Sequence, residues 1–463
     1  MKVQDIAHKR WLGRAHIAST LVIAGLTACG GGGSGSTAGG SAPIPSPAPQ
    51  PVATAAAVSL DQTSVDIPSV EYGTRSVTKT ITVTNSGDAN LTFSGLATDR
   101  TDISIAGGSC AVNQVVVAKG SCTIDVAFNP TSYSSYGKIS ATLTLNHNAG
   151  TGSSAVAIHA TSTVTRQSNA GALPAAVAAD CPRLTSTTLP TPDLKTSDAR
   201  YVSDLLQAVS PNQGYRVFAR MPDIFMWFAR NSAFQFNEIV MGTALHETNH
   251  NLDQALSTLC RQAGNWKLVQ DGVVYTLGFI QGLGQTKPYG IVKETIPASY
   301  IPSVANRYQS YIIGLGERTA QDFAILLEEL NAYTGAAEFE TRVQQTPAAA
   351  AVAFTLNDNN AMGMNDFMVY LVSYLKAARL SYPPTYNTIK SDPATVQYIQ
   401  AIWSKAETVL NAVYPQTLAS GNSLTVMNKT AISAIYTSGL IAELDAIGIK
   451  HMDPATLNST YLK

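Results

Sequence analysis

The stretch Thr243-Ala244-Leu245-His246-Glu247-Thr248-Asn249-His250 decides how the larger part of this chain is read. It lies within residues 237–259, where Met241, Leu245, Leu252, Leu256 and Leu259 recur at three- and four-residue spacing, the period of an amphipathic helix. Two histidines four positions apart on a helix lie one turn apart on the same face. Both imidazoles can then reach one metal ion at ~2.0–2.1 Å. Glu247 lies about 100° further round the helix, able to touch a water on that ion without taking a coordination position. Gly242 and Thr243, one turn earlier, leave space for substrate or a further ligand. Two histidines on a solvated helix face are the plain alternative. Against it, residues 196–463 hold three histidines and two of them stand here.

The 3.6-residue period recurs at 197–208, 319–343, 365–380, 393–413 and 429–447, which predicts a mainly helical body spanning 196–463. Residues 266–277 instead alternate around Asp271-Gly272, a hairpin signal. Such a hairpin could offer an edge strand to an extended peptide, although an ordinary hairpin is the simpler reading. Gly278–Gly284 and Gly314-Leu315-Gly316 lack the lysine and strand context of a phosphate loop and read as turns.

A catalytic Zn²⁺ commonly takes three protein ligands. His451 is the remaining histidine of the body, so a carboxylate is the favoured third ligand. Glu329 has Ile325, Leu326, Ala332 and Tyr333 one turn away and therefore points from an apolar face. A carboxylate there is costly to bury unless it is paired or metal-bound. Glu328, with Ala324, Ile325, Asn331 and Ala332 around it, has a more polar outlook and stands as the alternative.

H-E-x-x-H on a helix is the zincin signature. With Glu329-Leu330-Asn331-Ala332-Tyr333 on a second helix, it resembles the glutamate-type zincins (gluzincins). In these, a second helix offers E-x-x-x-D or E-x-x-A-D. The resemblance spans the two helices, about 40 residues. It implies a zinc peptidase with His246, His250 and Glu329 as ligands and Glu247 as general base. Tyr333 stands where many members have the Asp that orients a ligand histidine. Asp253, one turn beyond His250, could take that role, an exposed Asp being the simpler reading. Tyr333 and His451 are the candidate donors to a developing oxyanion, each open to a purely structural reading.

Before the body, about 58–163, the pattern has period two. Short β-branched runs at 80–84, 115–117, 123–128 and 141–145 are separated by turn signals such as Asn85-Ser86-Gly87-Asp88. That predicts a β-sandwich over 55–165. Cys110 and Cys122 lie 12 apart on what could be adjacent strands, and are expected to be bonded in an oxidising compartment. Ile81-Thr82-Val83-Thr84-Asn85-Ser86-Gly87 and Gly120-Ser121-Cys122-Thr123-Ile124-Asp125-Val126-Ala127-Phe128-Asn129-Pro130 resemble the abnormal-spindle/hydin type of immunoglobulin-like module. That resemblance implies the fold and nothing catalytic; His147 and His159 read as ordinary strand or loop residues. Residues 166–195 form a polar connection. Cys181 and Cys260 are expected to pair across the start of the body, two free buried thiols being the alternative.

Residues 1–28 combine Lys2, Lys9, Arg10 and Arg14 with an apolar run of about 14 residues, too short to span a bilayer. They end in Leu26-Thr27-Ala28-Cys29, which resembles a bacterial lipobox. The resemblance implies lipidation at Cys29 and an envelope location, with Gly30 pointing to the outer membrane; an ordinary signal peptide with an incidental cysteine is the alternative. Residues 29–54 then read as a Gly/Ser- and Pro-rich tether. No later apolar run approaches ~18 residues, so membrane attachment is expected through the lipid alone. Of 463 residues only 13% are charged, and Lys+Arg number 30 against 31 Asp+Glu. With no basic surplus to neutralise phosphates, nucleic acid is not an expected partner. The expected function is peptide-bond hydrolysis by a zinc-activated water. The alternatives are a non-catalytic binding or scaffolding lipoprotein with a degenerate zincin-like domain, and a metal hydrolase acting on something other than peptides.

Overall fold

The computed structural model describes residues 55–167, 171–174, 181–231, 238–260, 266–277, 295–298, 300, 307–308, 311–312, 323–346, 358–420, 429–437 and 439–455. The expected leader at 1–28 and the whole tether at 29–54, Cys29 included, lie outside these residues. So do the glycine turns at 278–284 and 314–316.

The β module is a two-sheet sandwich. One sheet has the order β1 (Val58–Leu60), β4 (Lys79–Asn85), β8 (Ser121–Phe128), β6 (Ile103–Gly107). The other runs β2 (Ser64–Asp66), β10 (Ser153–Thr163), β9 (Gly137–His147), β5 (Leu91–Thr98), β7 (Val115–Val116), with β3 (Val70–Glu71) also paired to β10. β2 and β3 run parallel to β10, whereas the remaining pairs in both sheets are antiparallel. Strand alternation builds the core: Ile81, Val83, Ile124 and Val126 point inward from one sheet and Leu143, Leu145, Val156 and Ile158 from the other. Cys110 and Cys122 are bonded as expected. Cys110 lies in the loop after β6 rather than on a strand, held by its N–H to the Thr123 carbonyl at 2.8 Å.

The body is mainly helical. Its elements are α1 (Cys181–Thr185), α2 (Ser197–Val209), α3 (Gly214–Arg220), α4 (Pro222–Asn231), α5 (Glu238–Leu259), α6 (Phe323–Gln344), α7 (Asp358–Ser381), α8 (Pro383–Ser391), α9 (Pro393–Ser420) and α10 (Ala442–Ala446). Between α5 and α6 comes the expected hairpin, β11 (Trp266–Gln270) and β12 (Val273–Leu277), turned by Asp271 at φ 48° and Gly272 at φ 81°. Two expectations are corrected. Residues 429–447 do not form one helix: a π-helical turn at Ser433–Thr437 and Gly439 at φ 79° separate the start from α10. The connection at 166–195 carries α1, whose Cys181 bonds Cys260 and ties the start of the body to the end of α5.

Two apolar cores meet at α6. Leu326, Leu327 and Leu330 enter the core shared with α7 and α9, while Phe339 and Val343 enter the core of α2–α5. Met241, Leu245, Leu252 and Leu256 of α5 are buried in the latter core, as the sequence stripe requires. The adjoining face of α5, which carries Gly242, His246 and His250, lies against α6. Among the described residues no helix is long and apolar enough to cross a membrane.

Candidate metal centre

α5 and α6 run antiparallel, and three levels of contact define their seam. Gly242 meets Glu340, His246 meets Tyr333, and His250 meets Glu328 and Glu329. Glu340 fills the space that the sequence left open at Gly242: a Cβ there would come 2.0 Å from Glu340 Oε1. Gly242 therefore serves helix packing rather than substrate access.

Between the second and third levels, His246 Nε2 and His250 Nε2 are 3.0 Å apart. Glu329 Oε2 lies 3.7 Å from the first and 3.4 Å from the second. Tetrahedral bonds of ~2.0–2.1 Å separate neighbouring donor atoms by about 3.3–3.4 Å, and the observed separations bracket that value. Glu329 Oε2 is buried without a hydrogen-bond partner among the described residues. Two imidazole nitrogens and a carboxylate oxygen converging in a buried space form a donor set suited to Zn²⁺, and the group could hold a metal ion. Glu329, rather than Glu328, is the glutamate that faces both rings. Glu328 Oε1 instead lies 3.0 Å from His250 Nδ1.

The electrostatics follow from burial. The interior pushes the His246 imidazole well below the usual histidine range, and His250 and Arg307 add to that shift. Burial alone would also lower His250, but the Glu329 and Glu328 carboxylates outweigh it and hold this ring well above the usual range. Burial raises the Glu247 carboxyl; His250 pulls it back down and Glu329 adds a smaller upward push.

Beside His246 stands a polar group that sequence reasoning did not find. The Tyr333 ring packs against His246 at 4.3 Å between centroids, and its hydroxyl bonds both Arg307 and Tyr311. The Arg307 Cζ sits 5.5 Å from the Tyr333 ring centroid, and its Nη1 pairs with Asp366 Oδ2 at 3.0 Å. Nothing in the spacing of Arg307 or Tyr311 marks them, since they reach the centre from outside both motif helices.

The remaining candidates fall elsewhere. Asp253 is buried, not exposed. It accepts the Val269 N–H at 3.1 Å, and Asn331 donates to the Val269 carbonyl at 2.6 Å. The outer edge of β11 is thus occupied at Val269 by side chains of α5 and α6, so it offers no peptide-pairing edge there. His451 lies 3.0 Å from Asp445 Oδ1 and bonds the Met452 carbonyl, away from α5. His147 and His159 bond Ser154 and Ser140 within the sandwich.

Residues 56–161 match the family described as HYDIN/CFA65/VesB-like, Ig-like domain, a match confined to the β module. No curated protein matches the chain. Among solved structures it is similar to a protein of unknown function from Porphyromonas gingivalis W83, with 16% identity and a TM-score of 0.21, over 24% of this chain and 48% of that one. It is also similar to the ASH/PapD-like domain 7 of human CEP192, at 11% identity and TM-score 0.20, over 26% and 94%. The secreted serine protease VesC from Vibrio cholerae follows at 22% identity and TM-score 0.19, over 23% and 24%. The chain thus spans about half the length of the Porphyromonas structure and about a quarter of VesC.

Proposed function

We propose that this chain is a zinc-dependent peptidase of the bacterial envelope, tethered by a lipid on Cys29. The observation that carries the reading is the convergence of His246 Nε2, His250 Nε2 and Glu329 Oε2 from two antiparallel helices, with Glu247 beside them. The alternative of two histidines on a solvated face loses its basis, because His246 is buried and His250 faces two carboxylates.

His246, His250 and Glu329 would hold the ion. Bound there, Zn²⁺ supplies a Lewis acid for the scissile carbonyl and lowers the pKa of water towards ~7. Glu247 accepts the proton of the attacking water and passes it to the leaving amine, a role favoured by a carboxyl raised by burial. The Tyr333 hydroxyl, accepting from Arg307, directs its own O–H to the substrate carbonyl oxygen as charge develops there. Peptides and proteins are the expected substrates, and the lipobox-like end of residues 1–28 supports a location at the outer membrane.

Elemental analysis of the purified chain should find one zinc per molecule, falling sharply in His246→Ala. Glu247→Gln should keep its zinc and lose hydrolysis of a mixed fluorogenic peptide library. Unchanged zinc in His246→Ala would remove the proposal. A zinc-loaded wild type inert on every peptide offered would favour the non-catalytic binding lipoprotein.

A further inference from the structure

His250 is addressed by two carboxylates from consecutive positions of one helix. Its Nε2 faces Glu329 Oε2 at 3.4 Å and its Nδ1 faces Glu328 Oε1 at 3.0 Å. Consecutive helical side chains diverge by about 100°. Both can serve one imidazole because the ring lies between them, one nitrogen towards each. His246 is held differently. Its Nδ1 is buried with no hydrogen-bond partner among the described residues, and its ring packs on Tyr333 at an interplanar angle of 60°. Tyr333 in turn stacks on Phe367, 5.5 Å between centroids and 24° between planes. On α7, a Cβ at Gly363 would come 2.3 Å from two Tyr333 ring carbons, so the absence of a side chain there makes room for the ring.

An imidazole that ligates through Nε2 must carry its proton on Nδ1, and the acceptor of that N–H fixes both tautomer and ring direction. We infer that the two ligand histidines are oriented by separate devices. Glu328 positions His250 by accepting its Nδ1–H, and the Tyr333 ring, wedged between Phe367 and the Gly363 backbone, positions His246 by packing. The inference rests on the zinc reading of this site and accounts for a tyrosine at 333, where the resembled motif places an aspartate. The carboxylate is supplied one residue before the ligand Glu329, which leaves position 333 free for an aromatic ring. Both are positioning residues, and the Tyr333 ring does a separate job from its hydroxyl.

The test is the zinc affinity of the full chain, measured by competition with a chromophoric chelator, with melting curves of each metal-free variant to establish folding. Glu328→Ala should bind zinc about 10–100-fold more weakly, the range for loss of such a partner. Glu328→Gln keeps an acceptor oxygen and should fall between Glu328→Ala and wild type. Tyr333→Phe should bind within about threefold of wild type even where hydrolysis falls. Tyr333→Ala and Gly363→Ala should each weaken binding about tenfold or more. Glu328→Ala within threefold of wild type, or Tyr333→Phe as weak as Tyr333→Ala, overturns the inference while leaving the zinc reading intact. A wild type that binds no zinc overturns both.

Discussion

Asp366 of α7 accepts from the Tyr300 hydroxyl and from Arg307 Nη1 at 3.0 Å while only 1% exposed. Burial lifts its carboxyl to about 6, against the opposing pull of Arg307. In the unfolded chain an Asp titrates near ~3.9, so the folded state holds this proton more tightly. Its contribution to stability is therefore full below about pH 4 and is lost as pH rises through about 6. Asp366→Asn does not titrate. The melting temperature of wild type minus that of Asp366→Asn should decrease from pH 4 upward and level off above about pH 7. A difference that stays constant over that interval would contradict the assignment. Partners also separate the two neighbouring glutamates, Glu329 facing both imidazoles and Glu328 the Nδ1 of His250 alone. Their sequence surroundings told Glu329 from Glu328 by the apolar residues one turn away. The partner of Glu328, by contrast, lies 78 positions earlier and had no local signature.

Helix packing sets the height of the centre. Gly242 lets α5 approach α6 until Glu340 lies against its Cα, and Glu340 has little freedom to move: it is buried and accepts from Asn360 at 2.6 Å. Gly242→Ala should therefore destabilise the fold by about 1–3 kcal/mol through overpacking, despite the better helix propensity of alanine. It should also weaken zinc binding, because the seam carries all three candidate ligands. Thr243→Ala, one residue on and exposed, should stay within about 0.5 kcal/mol. Chemical denaturation of the two variants tests the contrast, and equal stabilities would refute it. The element pattern was readable for α5 because its stripe, Met241 to Leu259, extends over about five turns. It was not readable for α3 and α4, which are short, are separated by Met221 and begin again at Pro222. Runs of that length show too few repeats of a period to stand out.

The sandwich and the helical body share a core. Tyr72, just after β3, is fully buried among side chains of α2 to α5, and its hydroxyl bonds Asp204 at 2.6 Å. Its ring meets Tyr201 edge-on at 5.5 Å, and Tyr136 packs on the same Tyr201 at 4.6 Å. A module joined through buried aromatics should unfold with its neighbour, so calorimetry of wild type should record one cooperative transition over residues 55–455. Tyr72→Ala removes a buried aromatic, which typically costs about 3–5 kcal/mol, and should split the melt into separate sandwich and body transitions. Tyr72→Phe should lose the Asp204 bond alone and keep a single transition. Two transitions in wild type would show that the shared core does not couple them.

Local repetition explains what sequence alone determined here: period two marked the sandwich, period 3.6 marked α5, Asp271-Gly272 marked the hairpin turn, and four-residue spacing put His246 and His250 on one face. Each of these rests on neighbours along the chain, where backbone geometry dictates direction. Tertiary structure alone decided that Glu328 reaches His250, that Arg307 and Tyr311 reach Tyr333, that Asp253 turns inward to β11, and that Tyr72 crosses into the helical core. Such contacts join residues from 16 to 132 positions apart. They arise from many weak packing interactions summed over a whole interior, which leaves no repeating mark on the residues that take part.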